Sequence, residues 1–376
     1  MLKKSTFFLF FVLTNCFVFS QVSNFKEKFI LPDEVKETSG LLFFNGKIIT
    51  HNDSENAANL YELDSVNGNI LRTITINNVT NTDWEDITQD ENYIYIADIG
   101  NNNGNRTDLK ILKILKSDYL NSDVINAEII AFSYEDQTDF SNRPNANNFD
   151  AEALISVDDS LFIFTKNWVD YKTNVYKIPK TKGTYSAEKV STANVEGAIT
   201  GATFSNNSIM LCGSNVNFVP FLIFIPYNSS LSDNVFNDGF SKYNLTTEMD
   251  LFSQVEAITF FDDGKLYLSR EKVNQFGINL SPKLYEFQDD RTKTLSTIKS
   301  NFIEFKIAPN PASEYISIQS NAQITSIEIF NTLGKKVFTT ITQNNKIDIS
   351  KYSKGIYIIK ATFTNNKVLI KKVIKL

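Results

Sequence analysis

The chain has 376 residues, a net charge of −6, two cysteines and a single histidine. Its 14 glycines and 8 prolines stand against 31 phenylalanines and 15 tyrosines, which excludes collagen-like and Pro/Gly-rich disordered classes. One histidine excludes multi-histidine zinc sites and two cysteines exclude thiolate clusters, while the length accommodates two or three domains.

Lys3 and Lys4 precede an apolar run from Phe7 to Leu13, which continues weakly to Phe19 before small Ser20. That order predicts a secretory signal peptide over residues 1–20, leaving Gln21 first in the product. Thr14, Asn15 and Cys16 break the run well short of the roughly 20 apolar residues a membrane span needs. The bulky Asn15 fits a lipoprotein site at Cys16 poorly. Without this segment Cys212 is the only cysteine left, so no intramolecular disulfide is expected. No later apolar run is long enough to cross a membrane, so no transmembrane segment is expected.

Residues 21–302 carry a repeat. Five segments each begin with a small or acidic residue, a small one and an apolar strand, then a turn and a second apolar strand. They start at Ser39-Gly40-Leu41, Glu85-Asp86-Ile87, Glu152-Ala153-Leu154, Thr200-Gly201-Ala202 and Glu256-Ala257-Ile258, at intervals of 46, 67, 48 and 56 residues. Second strands are predicted over 48–50, 93–97, 161–165, 209–212 and 266–269. Third strands are predicted over 60–63, 111–114, 175–178, 222–225 and 284–287. Fourth strands are visible at 71–76, 128–134 and, less sharply, 240–245. Four strands at such a period predict an all-β fold of β-propeller blades. Residues 26–31 are placed to supply the outer strand of the last blade and close the ring. Five blades are expected, with six the alternative if the 67-residue interval holds extra strands. An open solenoid is the other architecture, although no end caps are recognisable.

In such a ring the starts of first strands and the ends of second strands converge on one mouth. Those positions hold Ser39 with Asn52 and Asp53, Glu85 with Asp98, Glu152 with Lys166, Thr200 with Gly213, and Glu256 with Arg270. Asp83 and Asp86 flank Glu85, and Asp150 precedes Glu152. Asn52, Glu85, Asp98, Glu152 and Glu256 are the candidate metal ligands, since calcium takes six to eight hard oxygens. The competing reading makes Glu152–Lys166 and Glu256–Arg270 ion pairs between neighbouring strands. Trp84, Trp168 and Tyr171 are the aromatics available to stack on a sugar, so a glycan or small polar ligand is a possible partner. Residues 101–106 are expected to form a flexible loop over the mouth.

Catalytic patterns are scarce. No G-x-S-x-G elbow, P-loop or H-E-x-x-H occurs, and His51 is the sole imidazole, expected as a polar rim residue. The leading expectation is a protein that acts by binding rather than turnover. The alternative is a metal-dependent hydrolase of lactones, phosphoesters or glycans, using Glu85, Asn52 and Asp98. A scaffold without any ligand is the third reading. Outside the C-terminal segment no basic stripe exists, so nucleic acid is not an expected partner.

Residues 303–376 form the third domain, after the signal segment 1–20 and the repeat region 21–302. Eleven lysines against four acids make it +7, leaving −15 for residues 21–302. Alternating strands over 315–319, 326–331, 336–340, 346–349, 355–363 and 367–374 predict a small immunoglobulin-like β-sandwich.

Two resemblances add to these readings. Ala308-Pro309-Asn310-Pro311-Ala312, Ile316-Ser317-Ile318, Ile327-Glu328-Ile329-Phe330-Asn331, Gly334-Lys335, Gly355-Ile356-Tyr357 and Lys371-Lys372-Val373-Ile374-Lys375 resemble the type A C-terminal sorting domain of the Bacteroidetes type IX secretion system. That resemblance implies engagement of the type IX machinery and delivery to the outer-membrane surface or medium, with the domain removed or exchanged for an anchor. Glu37-Thr38-Ser39-Gly40-Leu41, His51-Asn52-Asp53-Ser54, Asp83-Trp84-Glu85-Asp86-Ile87 and Asp98-Ile99-Gly100-Asn101-Asn102 resemble secreted bacterial propellers near the SdiA-regulated and NHL-like groups. It implies a propeller and at most a calcium site, since one fold hosts many functions.

Overall fold

The computed structural model describes residues 22–291 except 206, 229–232, 263 and 276, and residues 305–376 except 321–323, 333, 341–345 and 364–367. The expected signal peptide lies outside the described residues. The chain divides into two units, Met1–Lys293 and Thr294–Leu376.

The first unit is almost entirely β. Strand β1 (Val22–Ile30) is followed by the meander β2 (Thr38–Phe44), β3 (Lys47–Asn52), β4 (Asn59–Asp64) and β5 (Ile70–Ile76). Next come β6 (Trp84–Gln89), β7 (Tyr93–Asp98), β8 (Lys110–Leu115), α1 (Lys116–Asn121), β9 (Val124–Ile125) and β10 (Glu128–Tyr134). Strands β11 (Ala151–Val157), β12 (Ser160–Thr165), β13 (Thr173–Pro179) and β14 (Gly183–Ala193) form a third meander. Strands β15 (Ala198–Ser205), β16 (Ser208–Ser214), β17 (Pro220–Pro226) and β18 (Ser241–Asn244) form a fourth. The remainder are β19 (Val255–Asp262), β20 (Lys265–Arg270), the hairpin β21 (Val273–Gln275) and β22 (Ile278–Leu280), and β23 (Lys283–Asp289).

Among the described residues these strands make five sheets, each built on four antiparallel strands, the first extended by the short β9, which pairs parallel with β5. The last has the order β1-β23-β20-β19, so the N-terminal strand completes a sheet whose other members come from the end of the unit. The second and third sheets join at their outer edges through parallel pairing of β10 with β14, giving eight continuous strands. The innermost strands β2, β6, β11, β15 and β19 each neighbour the next, and β19 neighbours β2 again. The arrangement is therefore β-propeller-like. The 67-residue interval between Glu85 and Glu152 is filled by β7, β8, α1, β9, β10 and the segment 135–150.

Burial follows the same plan. Second strands are covered on both faces and read as near-continuous apolar runs, as in Leu161-Phe162-Ile163-Phe164, whereas inner strands mix buried polar and apolar residues, as in Trp84–Gln89. Outer strands alternate, and every second residue of β5 faces outward. The apolar cores lie between adjacent sheets: Ile155, Phe162 and Phe164 meet Ile209, Leu211 and Phe221, for example. Leu41, Ile48 and Leu63 of the first sheet likewise meet Tyr267 and Leu284 of the last. Because the packing surfaces are the sheet faces, the axis is left to the polar and small residues of the five inner strands.

Axial side chains hold those strands together. The Ser39 hydroxyl donates to Glu85 O at 2.7 Å, and Thr200 donates to Val255 O at 2.6 Å. The fully buried Asp86 carboxylate accepts the amides of Ile87 (2.8 Å), Leu154 (2.8 Å) and Ala202 (3.2 Å), tying three inner strands.

The second unit contains β24 (Phe305–Ala308), β25 (Tyr315–Ser320), β26 (Ile324–Asn331), β27 (Lys336–Thr340), β28 (Lys346–Asp348), β29 (Gly355–Phe363) and β30 (Val368–Lys375). Sheets β24-β25-β28 and β27-β26-β29-β30 share a core of Ile316, Ile318, Ile327, Ile329, Ile347, Ile359 and Phe363. No helix of the described residues is long and apolar enough to cross a membrane.

Candidate axial acidic site

Each inner strand begins with the same irregularity. The register slips between Thr38 and Gly40, Trp84 and Asp86, Ala151 and Ala153, Ile199 and Gly201, and Val255 and Ala257. The extra residue in these five bulges is Ser39, Glu85, Glu152, Thr200 or Glu256. A bulge leaves one residue out of the ladder and re-aims its side chain. Here four of the five, Ser39, Glu85, Glu152 and Glu256, line one cavity of about 210 Å³. Asp53, Lys166 and Glu271 line it too, each one residue beyond the end of a second strand. Asn102, Asn145, Trp168 and Gln254 complete its wall.

The cavity is strongly acidic. Lys166 Nζ lies 2.5 Å from Glu152 Oε1 and is the only cation on the wall. Glu85 is 4% exposed and has no hydrogen-bond partner for its carboxylate among the described residues. Carboxylate oxygens of Asp53, Asp83 and Glu85 all lie within 4.8 Å of one another. At that distance two unit charges repel by about 3.5 kcal/mol at an effective dielectric of about 20. The three cannot all be ionised cheaply without a counter-charge. Gly100 permits the approach: a Cβ there would overlap the carboxylates of both Glu85 and Asp83.

Titration behaviour expresses the same crowding. Burial, then the neighbouring acids Asp53 and Asp150, push Asp83 up to about 7. Burial and the Glu152 charge raise Glu85 well above the usual carboxylate range. Glu152 is pushed up to about 8 by burial, against the pull of Lys166, and Glu271 to about 7 by burial and Asp53. Burial and the Glu271 charge raise Glu256.

Of the five candidate ligands, the structure brings Glu85, Glu152 and Glu256 to the cavity and takes Asn52 and Asp98 elsewhere. The Asn52 amide donates to Glu34 O at 2.7 Å and accepts from the Glu37 N–H at 3.2 Å. Asp98 is buried between Arg106 (2.8 Å) and Lys110 (2.9 Å). Asp53 and Asp83 stand nearer the role expected of them. Asp150 is a brace, accepting the Asn101 N–H at 2.6 Å and Trp168 Nε1–H at 2.7 Å.

Several other expectations change. The Glu152–Lys166 pair forms, whereas Arg270 turns away from Glu256 to Asp250 (3.1 Å), Ser253 (3.1 Å) and Ser281 O (3.0 Å). Alternation along the strand puts Arg270 and Glu271 on opposite sides, so the mouth residue is the one after it. His51 is fully buried rather than at the rim, held neutral by desolvation with its pKa lowered to about 4. Trp84 is core, while Trp168 and Tyr171 face an adjoining cleft. The loop after β7 is pinned by Arg106, which donates to Gly100 O (2.8 Å) and Asp98 and whose N–H meets Asn101 Oδ1 at 3.0 Å.

Comparison with known proteins identifies one part of the chain. Residues 306–376 match the family described as the secretion system C-terminal sorting domain, so this segment is a type IX secretion sorting domain. The protein engages that export machinery and is delivered to the cell surface or secreted. A search of the curated proteins found no match. Among solved structures, the PQQ-bound aldose sugar dehydrogenase of Streptomyces coelicolor is 11% identical, covering 70% of this chain and 97% of its own, with a TM-score of 0.41. PorZ, a surface component of the type IX secretion system of Porphyromonas gingivalis, is 13% identical over 90% of this chain and 45% of its own, with a TM-score of 0.34. The WD40 β-propeller domain of Doa1 is 10% identical over 93% and 97%, with a TM-score of 0.30. Scores this low carry neither activity nor ligand over to this chain.

Proposed function

We propose that the first unit is a five-bladed β-propeller that the sorting domain delivers outside the cell, where it works by binding a divalent cation, calcium foremost, in its acidic mouth. Asp53, Asp83 and Glu85 are the anionic ligands in this reading. Asn102 and Asn145 line the cavity with Asp53 and Glu85 and offer neutral oxygens, which suits a hard cation that takes six to eight oxygen ligands. The observation that carries the proposal is Glu85: a residue only 4% exposed whose carboxylate faces the cavity without a hydrogen-bond partner among the described residues, beside two further carboxylates. A partly desolvated carboxylate crowded by other acids is costly to ionise, and a bound cation offsets that cost.

Calorimetric titration of calcium into the chelator-treated chain tests this directly. Binding is expected, with affinity reduced at least about tenfold in Glu85→Gln, equivalent to about 1.4 kcal/mol. Equal affinity in the variant, or no binding to the parent chain, sinks the assignment.

A further inference from the structure

A second cavity of about 480 Å³ opens beside the acidic mouth and shares Lys166, Trp168, Gln254 and Glu256 with it. Its size falls within the range of small-molecule sites. Most of its wall is apolar: Trp168, Tyr171, Val216, Phe218, Phe252 and Ile278 are its large side chains. The Phe218 and Phe252 rings stack at 5.1 Å and 27°, and the Phe252 N–H donates to Phe218 O at 3.1 Å. Phe218 and Val216 are each 55% exposed and Tyr171 is 44% exposed, so the described residues leave this wall uncovered.

The backbone carries an independent sign. Ten described non-glycine residues have positive φ, and the aromatic ones among them are Tyr171 (54°), Phe218 (59°) and Phe252 (64°). All three line this one cleft. Left-handed backbone is unusual for bulky residues, and such outliers concentrate at ligand clamps. Three separate loops, following β12, β16 and β18, each adopt this conformation to present a ring to the same space.

Charge decides what the rings would hold. At the junction Glu256 has no hydrogen-bond partner for its carboxylate among the described residues, and Glu271 and Glu152 repel it. Lys166 is the one cation on the lining of either cavity among the described residues; its charge also reaches Glu256, but its ion pair is with Glu152 and it lies 4.9 Å from the Trp168 ring. One lysine stands against three carboxyl groups at the inner end of the cleft, and an entering cation favours their ionised form. An anion is repelled there, and a neutral apolar molecule leaves Glu256 unmatched. An ammonium or guanidinium on an apolar body satisfies both the carboxylate and the rings, whose faces also attract cations.

We propose that this cleft is a second binding site, for a small organic cation with an apolar body, its charged end at Glu256 and its body against the stacked Phe218 and Phe252 pair and Tyr171. The site is separate from the Asp53, Asp83 and Glu85 group and stands whether or not that group holds calcium.

Calorimetric titration of the full chain with four probes tests it: 2-phenylethylammonium, 2-phenylethanol, 3-phenylpropionate and cellobiose. The ammonium is expected to bind at least about tenfold more tightly than the alcohol, with no binding of the propionate or the sugar. Glu256→Gln should erase the preference for the ammonium, whereas Glu85→Gln should preserve it. Phe218→Asn should weaken ammonium and alcohol alike, because asparagine tolerates the left-handed backbone while removing the ring. Equal binding of alcohol and ammonium, preference for the propionate or cellobiose, or no binding of any probe overturns the proposal. A retained ammonium preference in Glu256→Gln overturns the placement of the charged end.

Discussion

Gly100→Ala is the sharpest probe of the acidic mouth, because it adds one methyl group and removes no charge. Gly100 has no positive φ, so alanine is compatible with its backbone; the cost arises only from what the new Cβ meets. It would overlap the carboxylates of Glu85 and Asp83, two of the three acids gathered within 4.8 Å. Those groups must move apart, and the oxygen cluster that a cation needs is lost. At a free calcium concentration about 100 times Kd, binding stabilises the folded state by about 2.7 kcal/mol. The unit spans roughly 270 residues, and an unfolding entropy of about 2.1 cal/mol/K per residue gives about 0.6 kcal/mol/K, hence a Tm rise of about 5 °C. Scanning calorimetry with calcium and with chelator should show that rise in the parent chain and little of it in Gly100→Ala. A full calcium-dependent rise in the variant refutes the reasoning, since the carboxylates would then bind without the space the glycine leaves.

Two further outcomes follow from the same geometry. Asp83 and Glu271 at about 7 and Glu152 at about 8 all lie above their unfolded values, so the folded chain holds protons that the unfolded chain has released. Stability without calcium should therefore fall between pH 6.5 and 8, a window above the unfolded pKa of His51, which would oppose the trend at lower pH; a chelated Tm that rises across this window contradicts the assignment. Asp86→Ala strips the acceptor from three backbone amides, two of them on other inner strands, and should cost about 3 kcal/mol or more in denaturant unfolding; a loss below about 1 kcal/mol would mean the axis is held otherwise.

Much of the architecture was legible because strands announce themselves by local pattern. The starts at Ser39, Glu85, Glu152, Thr200 and Glu256 lie at or within two residues of the observed inner-strand starts. The expected outer strand over residues 26–31 falls largely within β1, which pairs with β23 as a ring closure requires. Strand β14 escaped notice because its exposed alternation in Gly183–Ala193 includes few large apolar residues. The expected mouth is one position out of phase on β20, and on β3, where both Asn52 and Asp53 are expected there, the ligand choice falls on the wrong one of the two. Asn52 and Arg270 are the last strand residues, but Asp53 and Glu271 immediately after them face the cavity. Period-2 alternation makes a one-residue error a change of side, and only the pairing register resolves it.

The sequence by itself determined the all-β character and the acidity of the repeat region, since composition and periodicity are local properties, and its motifs carried the resemblance that marks the sorting tail. Tertiary structure alone decided which acids share a space. The five bulges bring residues of five different sheets to one mouth, while the Gly100 approach and the capture of Asp98 by Arg106 and Lys110 are fixed by the pairing of β6, β7 and β8. The aromatic cleft is likewise tertiary: Tyr171, Phe218 and Phe252 come from three loops, and their convergence depends on the ring of sheets that carries them. A carboxylate's environment, and hence its chemistry, is set by neighbours across space, and no spacing along the chain encodes them.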